Sequence, residues 1–405
     1  MKRIIFLATL FITSTLIGSE TLMVDPHFSP YMGSSDLLFV ESGLIETEDY
    51  FWNGEGRNTA SKVWGRAAEQ FLFWYPVNMM AVVTQHEFFG HGYRLREQGS
   101  RPRGYKITPF GGYTSINLKP SFPVGALTAV VVAGIEAEAI MARDLKMEWM
   151  RRGEIDGRQG FLYTQVAQSL FWYTTITHRS KLKGEEISDG NDVKIYIDLI
   201  NDSYGDGELS IGKLYRWSLF NLLDPMTFYA YYAAFFYIGE GKSWKFPMIS
   251  FGERIKYLPN IRVGYAPYAP EAYLENYFLV DGNPLYFYFK GGKRSFGFGL
   301  LYDYLFEGRR GLLGFRFDGW NQGVFLTTAT VNDLVNDLPV FRPALNKRQW
   351  GAAFTVRGKL NLFSYVGLFA ELGGKTKGYL PGYGLNKELV ARVGLTIGKN
   401  SLSGS

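Results

Sequence analysis

The 405-residue chain contains no cysteine and only four histidines. The missing cysteine excludes disulfides, thiolate nucleophiles and cysteine metal ligands. Charge of one sign is not in excess either: 43 basic and 38 acidic residues leave a net charge of +5, with the two signs mixed along the chain. Without a basic stripe, nucleic acid is not expected as a partner. With 46% hydrophobic residues the chain has ample material for a packed core, which excludes a disordered protein.

The N-terminus carries Lys2-Arg3, the apolar run Ile4 to Ile17, and then Gly18 and Ser19. This pattern predicts a secretory signal peptide over residues 1–19, with cleavage near Ser19. The run is short for an uncleaved membrane anchor, which needs about 20 residues.

Two of the four histidines fall in Thr84-Gln85-His86-Glu87-Phe88-Phe89-Gly90-His91-Gly92-Tyr93. In the usual zinc-hydrolase signature the histidines stand four apart, with a Glu after the first, so that both rings leave one helix face. Here they stand five apart. On an α-helix that spacing turns the second ring by about 140° from the first, so the site demands a one-residue bulge near Gly90.

Along the chain, residues 20–57 show no sustained period and read as an irregular lead-in. Residues 58–240 carry helical periods: one helix from Ala60, with a kink or break at Pro76, one from Asn78 to about Glu97 bearing the histidines, and others over Val124 to Arg152 and Gln159 to Ile176. Asp189 or Asn191 is placed to cap a short helix running through Leu199. From 246 to 400 the period changes to two, as in Leu313, Phe315 and Phe317 or Leu389, Ala391, Val393 and Leu395. Such half-apolar segments, about eight to ten of them, predict an antiparallel β-barrel of the outer-membrane type, although the chain lacks the C-terminal Phe that many such barrels carry. The fold class is therefore α+β, a helical metal-site domain followed by an antiparallel barrel.

The stretch His86 to Gly92 resembles the zinc motif of the dipeptidyl peptidase III family, which shares the five-residue spacing and the glycines flanking the second histidine. The likeness covers seven residues, and that family is cytosolic and far longer. The resemblance implies that His86 and His91 bind Zn2+ and that Glu87 is the general base. A catalytic zinc takes three protein ligands. In glutamate-type zincins the third is a Glu on a later helix, for which Glu136 is preferred and Glu138 is the alternative. Neither has the second carboxylate that the family places four residues on. Asp224, in Asn221-Leu222-Leu223-Asp224-Pro225, is a further alternative because it resembles the aspartate motif of site-2 intramembrane proteases; a helix cap is its plainer role.

The expected function is that of an exported zinc metallopeptidase acting on a peptide or protein. Membrane lipid would surround its barrel, and the helical domain would face the periplasm from the outer membrane. The alternatives are a site-2-like intramembrane protease and a non-enzymatic pore or structural barrel with a helical plug.

Overall fold

The two periods separate into helices and strands, but the two halves interleave in space. The computed structural model describes residues 20–52, 59–308, 310–326, 329–336, 347–363 and 365–397, so the expected signal peptide lies outside the described residues. In chain order the elements begin with strand β1 (Glu20–Val24) and helix α1 (Pro30–Trp52). Then come α2 (Ala60–Glu69), α3 (Tyr75–Thr84) and α4 (Gly92–Glu97), joined into one helical run by two π-helical segments, Gln70–Trp74 and Gln85–His91. The hairpin β2 (Gly104–Thr108) and β3 (Gly111–Ser115) leads to α5 (Val124–Arg152), the short β4 (Glu154–Ile155) and α6 (Gly160–Leu182). Helices α7 (Asp192–Tyr204), α8 (Ile211–Ser218) and α9 (Pro225–Glu240) precede β5 (Trp244–Lys245), which pairs with β4.

The remaining strands form a meander: β6 (Ile249–Phe251), β7 (Ile255–Ala266), β8 (Ala269–Val280), β9 (Asn283–Gly292), β10 (Ser295–Gly308), β11 (Gly311–Gly323), β12 (Arg348–Asn361), β13 (Val366–Lys375) and β14 (Glu388–Ile397). A short helix, α10 (Val331–Val335), lies between β11 and β12. The fold is thus a mixture of helices with one ten-stranded antiparallel sheet, ordered β1-β14-β13-β12-β11-β10-β9-β8-β7-β6.

Three expectations change here. The sheet is open, because β1 and β6 are its two edges and do not pair with each other. Within the stretch 20–57, the described residues 20–52 are not an irregular lead-in: β1 completes the sheet against β14, with Leu22 opposite Leu395, and α1 follows it. Helix α1 buries Leu38, Phe39 and Ile45 but exposes Val40 and Leu44, so apolar residues surround its axis and no period shows in the sequence. Pro76 does not end its helix either, since it sits in the first turn of α3, directly after a π segment.

The sheet's helix-covered face holds its buried charged side chains, together with apolar ones such as Leu258, Leu301 and Phe369, whereas its outer face is apolar. Glu271, Lys290, Arg316, Asp318, Glu371 and Arg392 are buried, while Leu274, Phe289, Phe298, Phe354, Leu372 and Val393 are exposed. The buried charges are paired: Lys290 Nζ lies 3.1 Å from Glu271, Arg316 Nε 2.6 Å from Asp318 and Arg392 Nη1 3.0 Å from Glu371. Helix α5 packs against β7, β8 and β9 and is buried along most of its length. It is long and apolar enough to cross a membrane.

Candidate metal centre

The motif's awkward spacing is resolved by the backbone. Gln85–His91 forms a π-helical turn, whose hydrogen bonds span five residues instead of four, and this places His86 and His91 on the same face. Gln85 Nε2 fastens this turn to two neighbours, donating to the Pro30 carbonyl at 3.0 Å and the Ala137 carbonyl at 2.8 Å. Close approach of α5 depends on two glycines. A Cβ on Gly90 would stand 2.7 Å from the Ala133 carbonyl oxygen, and one on Gly134 would stand 2.3 Å from His86 Nε2.

Three ligand atoms converge. His86 Nε2 and His91 Nε2 are 3.1 Å apart, and Asp192 Oδ2 lies 3.4 Å from the first and 3.3 Å from the second. These three residues are the candidate metal-binding group among the described residues. The outer nitrogens are also held. His91 Nδ1 is 2.7 Å from the Val130 carbonyl, which can only accept, so Nδ1 carries the proton and Nε2 keeps its lone pair. His86 Nδ1 lies 3.1 Å from Glu138 Oε1, which fixes the same tautomer. Three lone pairs therefore face one point, an arrangement that requires a proton or a cation between them.

The electrostatics agree. Burial disfavours charge on His86, but Glu138 and Asp192 outweigh it and hold the imidazole pKa well above its ordinary value of 6.5. His91 is likewise raised, with Asp192 overcoming burial. Burial pushes the Asp192 carboxyl up, yet the two imidazoles bring it below the usual carboxylate range.

Asp192 is the candidate ligand that the sequence did not reveal. Asn191 caps α7, its side chain accepting from the Lys194 amide at 3.0 Å, which makes Asp192 the first residue of the helix. An acid in a first helical turn ordinarily serves the helix dipole, and that plainer role hides it in the sequence. Its amide donates to the Tyr173 hydroxyl at 3.1 Å.

None of the three carboxylates proposed from the sequence is the third member of this group. Glu136 receives Arg94 Nη2 at 2.6 Å and the Tyr379 hydroxyl at 3.1 Å, so its charge is spent on a buried ion pair. Glu138 does face the histidines, but it meets His86 at the nitrogen pointing away from the cluster. Two positions apart on one helix, the two glutamates diverge by about 200°, which is why only Glu138 reaches the site. Asp224 caps α9, accepting from the Met226 amide at 3.1 Å, and also binds the Tyr163 hydroxyl at 2.5 Å. Glu87 is buried beside the cluster, and its charge acts on both imidazoles. Its Oε2 accepts from Thr114 Oγ1 at 2.7 Å, tying it to β3.

Access is from the side of His86 and Asp192, whose side chains keep 13% and 20% of their surface exposed. The centre sits at the sheet end that bears the β7–β8 turn, since the Tyr196 hydroxyl of α7 donates to the Ala266 carbonyl at 2.9 Å. No protein family, no curated protein and no solved structure matches this chain.

Proposed function

We propose that the protein is a zinc metallopeptidase in which His86, His91 and Asp192 hold the metal and Glu87 is the general base. The observation that carries this reading is the triangle of converging lone pairs, with edges of 3.1, 3.3 and 3.4 Å. A tetrahedral ion with bonds of about 2.0–2.1 Å has ligand–ligand edges of about 3.3–3.4 Å. Two imidazoles and a carboxylate suit zinc better than calcium or magnesium, which prefer all-oxygen sites.

When bound, zinc would supply Lewis-acid activation of water and of the scissile carbonyl. The chain's own groups provide the rest. Glu87, oriented by Thr114, takes the proton of the attacking water and delivers it to the leaving amine. Glu138 and the Val130 carbonyl fix the two imidazoles for coordination.

The membrane assignment belongs to the same reading. A sheet that buries charge and exposes Leu, Phe and Val suits hydrocarbon outside and polar packing within, as in an outer-membrane barrel. In such barrels the turns on the periplasmic side are short. Here two-residue turns occur at both ends, 267–268 and 293–294 beside the metal centre and 281–282 and 309–310 away from it, but both long connections, 324–347 and 376–387, are beside the centre. Loop length therefore favours the outer side of the membrane for the centre over the periplasmic side expected from the sequence. A structural barrel plugged by α5 is the competing reading, favoured by the burial of that helix, but it gives the converging lone pairs no role.

The test is metal content and hydrolysis together. Purified wild type should contain one equivalent of zinc and cleave a peptide library. Glu87→Gln should retain the zinc and lose about 10²–10⁴-fold in rate. Zinc-free wild type that cannot be loaded with zinc would overturn the proposal.

A further inference from the structure

The open seam of the sheet is sealed by helices rather than by strand pairing. At one edge, Asp36 of α1 accepts from the Met23 amide of β1 at 2.7 Å, and Ser35 of the same helix donates to the Thr21 carbonyl. At the other edge, β6 covers only Ile255 to Tyr257 of β7. Further along that strand Asn221 takes over, its Oδ1 accepting from the Val263 amide at 2.6 Å and its Nδ2 donating to the Val263 carbonyl at 3.2 Å. Exposed backbone groups cannot stay unpaired in hydrocarbon, so an open sheet in a bilayer needs this kind of cover.

The covering helices join one another across the gap. Glu48 of α1 accepts from Trp74 Nε1 at 2.8 Å and from the Tyr237 hydroxyl of α9 at 2.9 Å. Arg66 of α2 donates to the Ile238 carbonyl at 2.9 Å. Their side-chain distribution repeats that of the sheet. Helix α9 buries Ala230, Ala233 and Ala234 and exposes Phe228 at 64%, Tyr232 at 51% and Phe235 at 57%. Its small face is in close contact with two glycines, whose Cβ atoms would each lie 2.4 Å from a carbonyl oxygen of α9. Small residues against the neighbouring helix and large apolar ones outward is a packing pattern of helices in lipid. In the first π segment Leu72 is 78% exposed whereas Gln70 is fully buried. Between α1 and α3 runs an apolar groove lined by Leu37, Val40, Leu44, Pro76, Val77 and Met80. Polar groups point inward, as with Asn78 Nδ2, which donates to the Arg158 carbonyl at 2.8 Å.

We propose that α1, α3, α9 and the π segment Gln70–Trp74 form a helical wall in contact with bilayer hydrocarbon, completing the membrane-facing surface that the sheet leaves open. The inference rests on the membrane reading of the sheet. Its dimensions agree, because the 16 residues of α9 span about 24 Å, close to the apolar band of about 25 Å on such barrels. Helices and strands would thus share one bilayer.

The absence of cysteine makes the test direct. Single cysteines would be placed at Val40→Cys, Leu72→Cys and Phe235→Cys on the helices, at Leu274→Cys and Phe354→Cys on the sheet, and at Lys183→Cys in an exposed connection. After spin labelling and reconstitution in phosphatidylcholine vesicles, collision with oxygen reports hydrocarbon, and collision with a water-soluble nickel chelate reports water. The helix and sheet labels should both favour oxygen, with Lys183→Cys showing the reverse. Nickel-accessible helix labels beside oxygen-accessible sheet labels would overturn the helical wall alone. Nickel access at the sheet labels as well would remove the membrane reading with it. Phe228→Cys replaces any helix variant that fails to reconstitute.

Discussion

Glu138 Oε1 lies 3.1 Å from His86 Nδ1, on the side of the ring opposite the atom that faces His91 and Asp192. The glutamate thus orients a candidate ligand without joining the candidate group. This separates two acids that the sequence could not tell apart, and it grades their substitutions.

Glu138→Gln should keep the fold and weaken zinc binding by about 10–100-fold, the usual cost of losing a group that orients a metal-bound histidine. Asp192→Asn alters the proposed third ligand and should lower zinc affinity further. Glu136→Gln, remote from the cluster, should leave zinc affinity unchanged. Competition titration with a chromophoric chelator would rank the three, and equal losses for Glu136→Gln and Asp192→Asn would contradict the arrangement.

Gly134→Ala is a larger perturbation than its size suggests. The added methyl would meet His86 Nε2 at 2.3 Å, so either the imidazole or α5 must shift. Loss of zinc binding is expected, together with destabilisation of about 1–3 kcal/mol from overpacking. Thermal unfolding and metal analysis would read the two effects separately; Gly65, with no neighbour near its missing Cβ, is the control and should tolerate Ala.

Proton and metal compete for the same lone pairs. Without metal, the raised pKa of His86 means that its protonated form stabilises the fold fully below the ordinary 6.5, and this contribution is lost as pH rises through the raised value. Zinc binding must displace that proton, so zinc affinity should increase with pH over the same interval. Melting curves with zinc and with chelator should diverge as pH rises above the ordinary 6.5. Calorimetry in buffers of different ionisation enthalpy should detect proton release, and binding without release would contradict the assignment.

Arg94 is fully buried, bonded to Glu136 at 2.6 Å and to Glu97 at 3.2 Å. Arg94→Met leaves two buried carboxylates without their cation and should cost about 3–5 kcal/mol, measurable by denaturant unfolding. A neutral outcome would show that the pair carries little net stability.

The sequence by itself determined most elements from residue 58 onward, but not β1 or α1, and part of the centre. Period two from residue 246 onward was enough for the strands, because each strand has one face of each polarity. The pair His86 and His91, with Gly90 between them, was enough to demand a bulged helix, since an α-helix cannot aim both rings at one ion. Only the tertiary structure decided the rest. Asp192 joins the histidines from 101 positions beyond His91, at a helix start where an acid has an ordinary local role. Glu136 and Glu138 look alike in sequence, and which one reaches the site depends on how α5 is rotated against the π turn. The sheet's openness was equally illegible: strand periodicity fixes which side chains share a face, whereas closure depends on whether the two edge strands meet or are covered by helices.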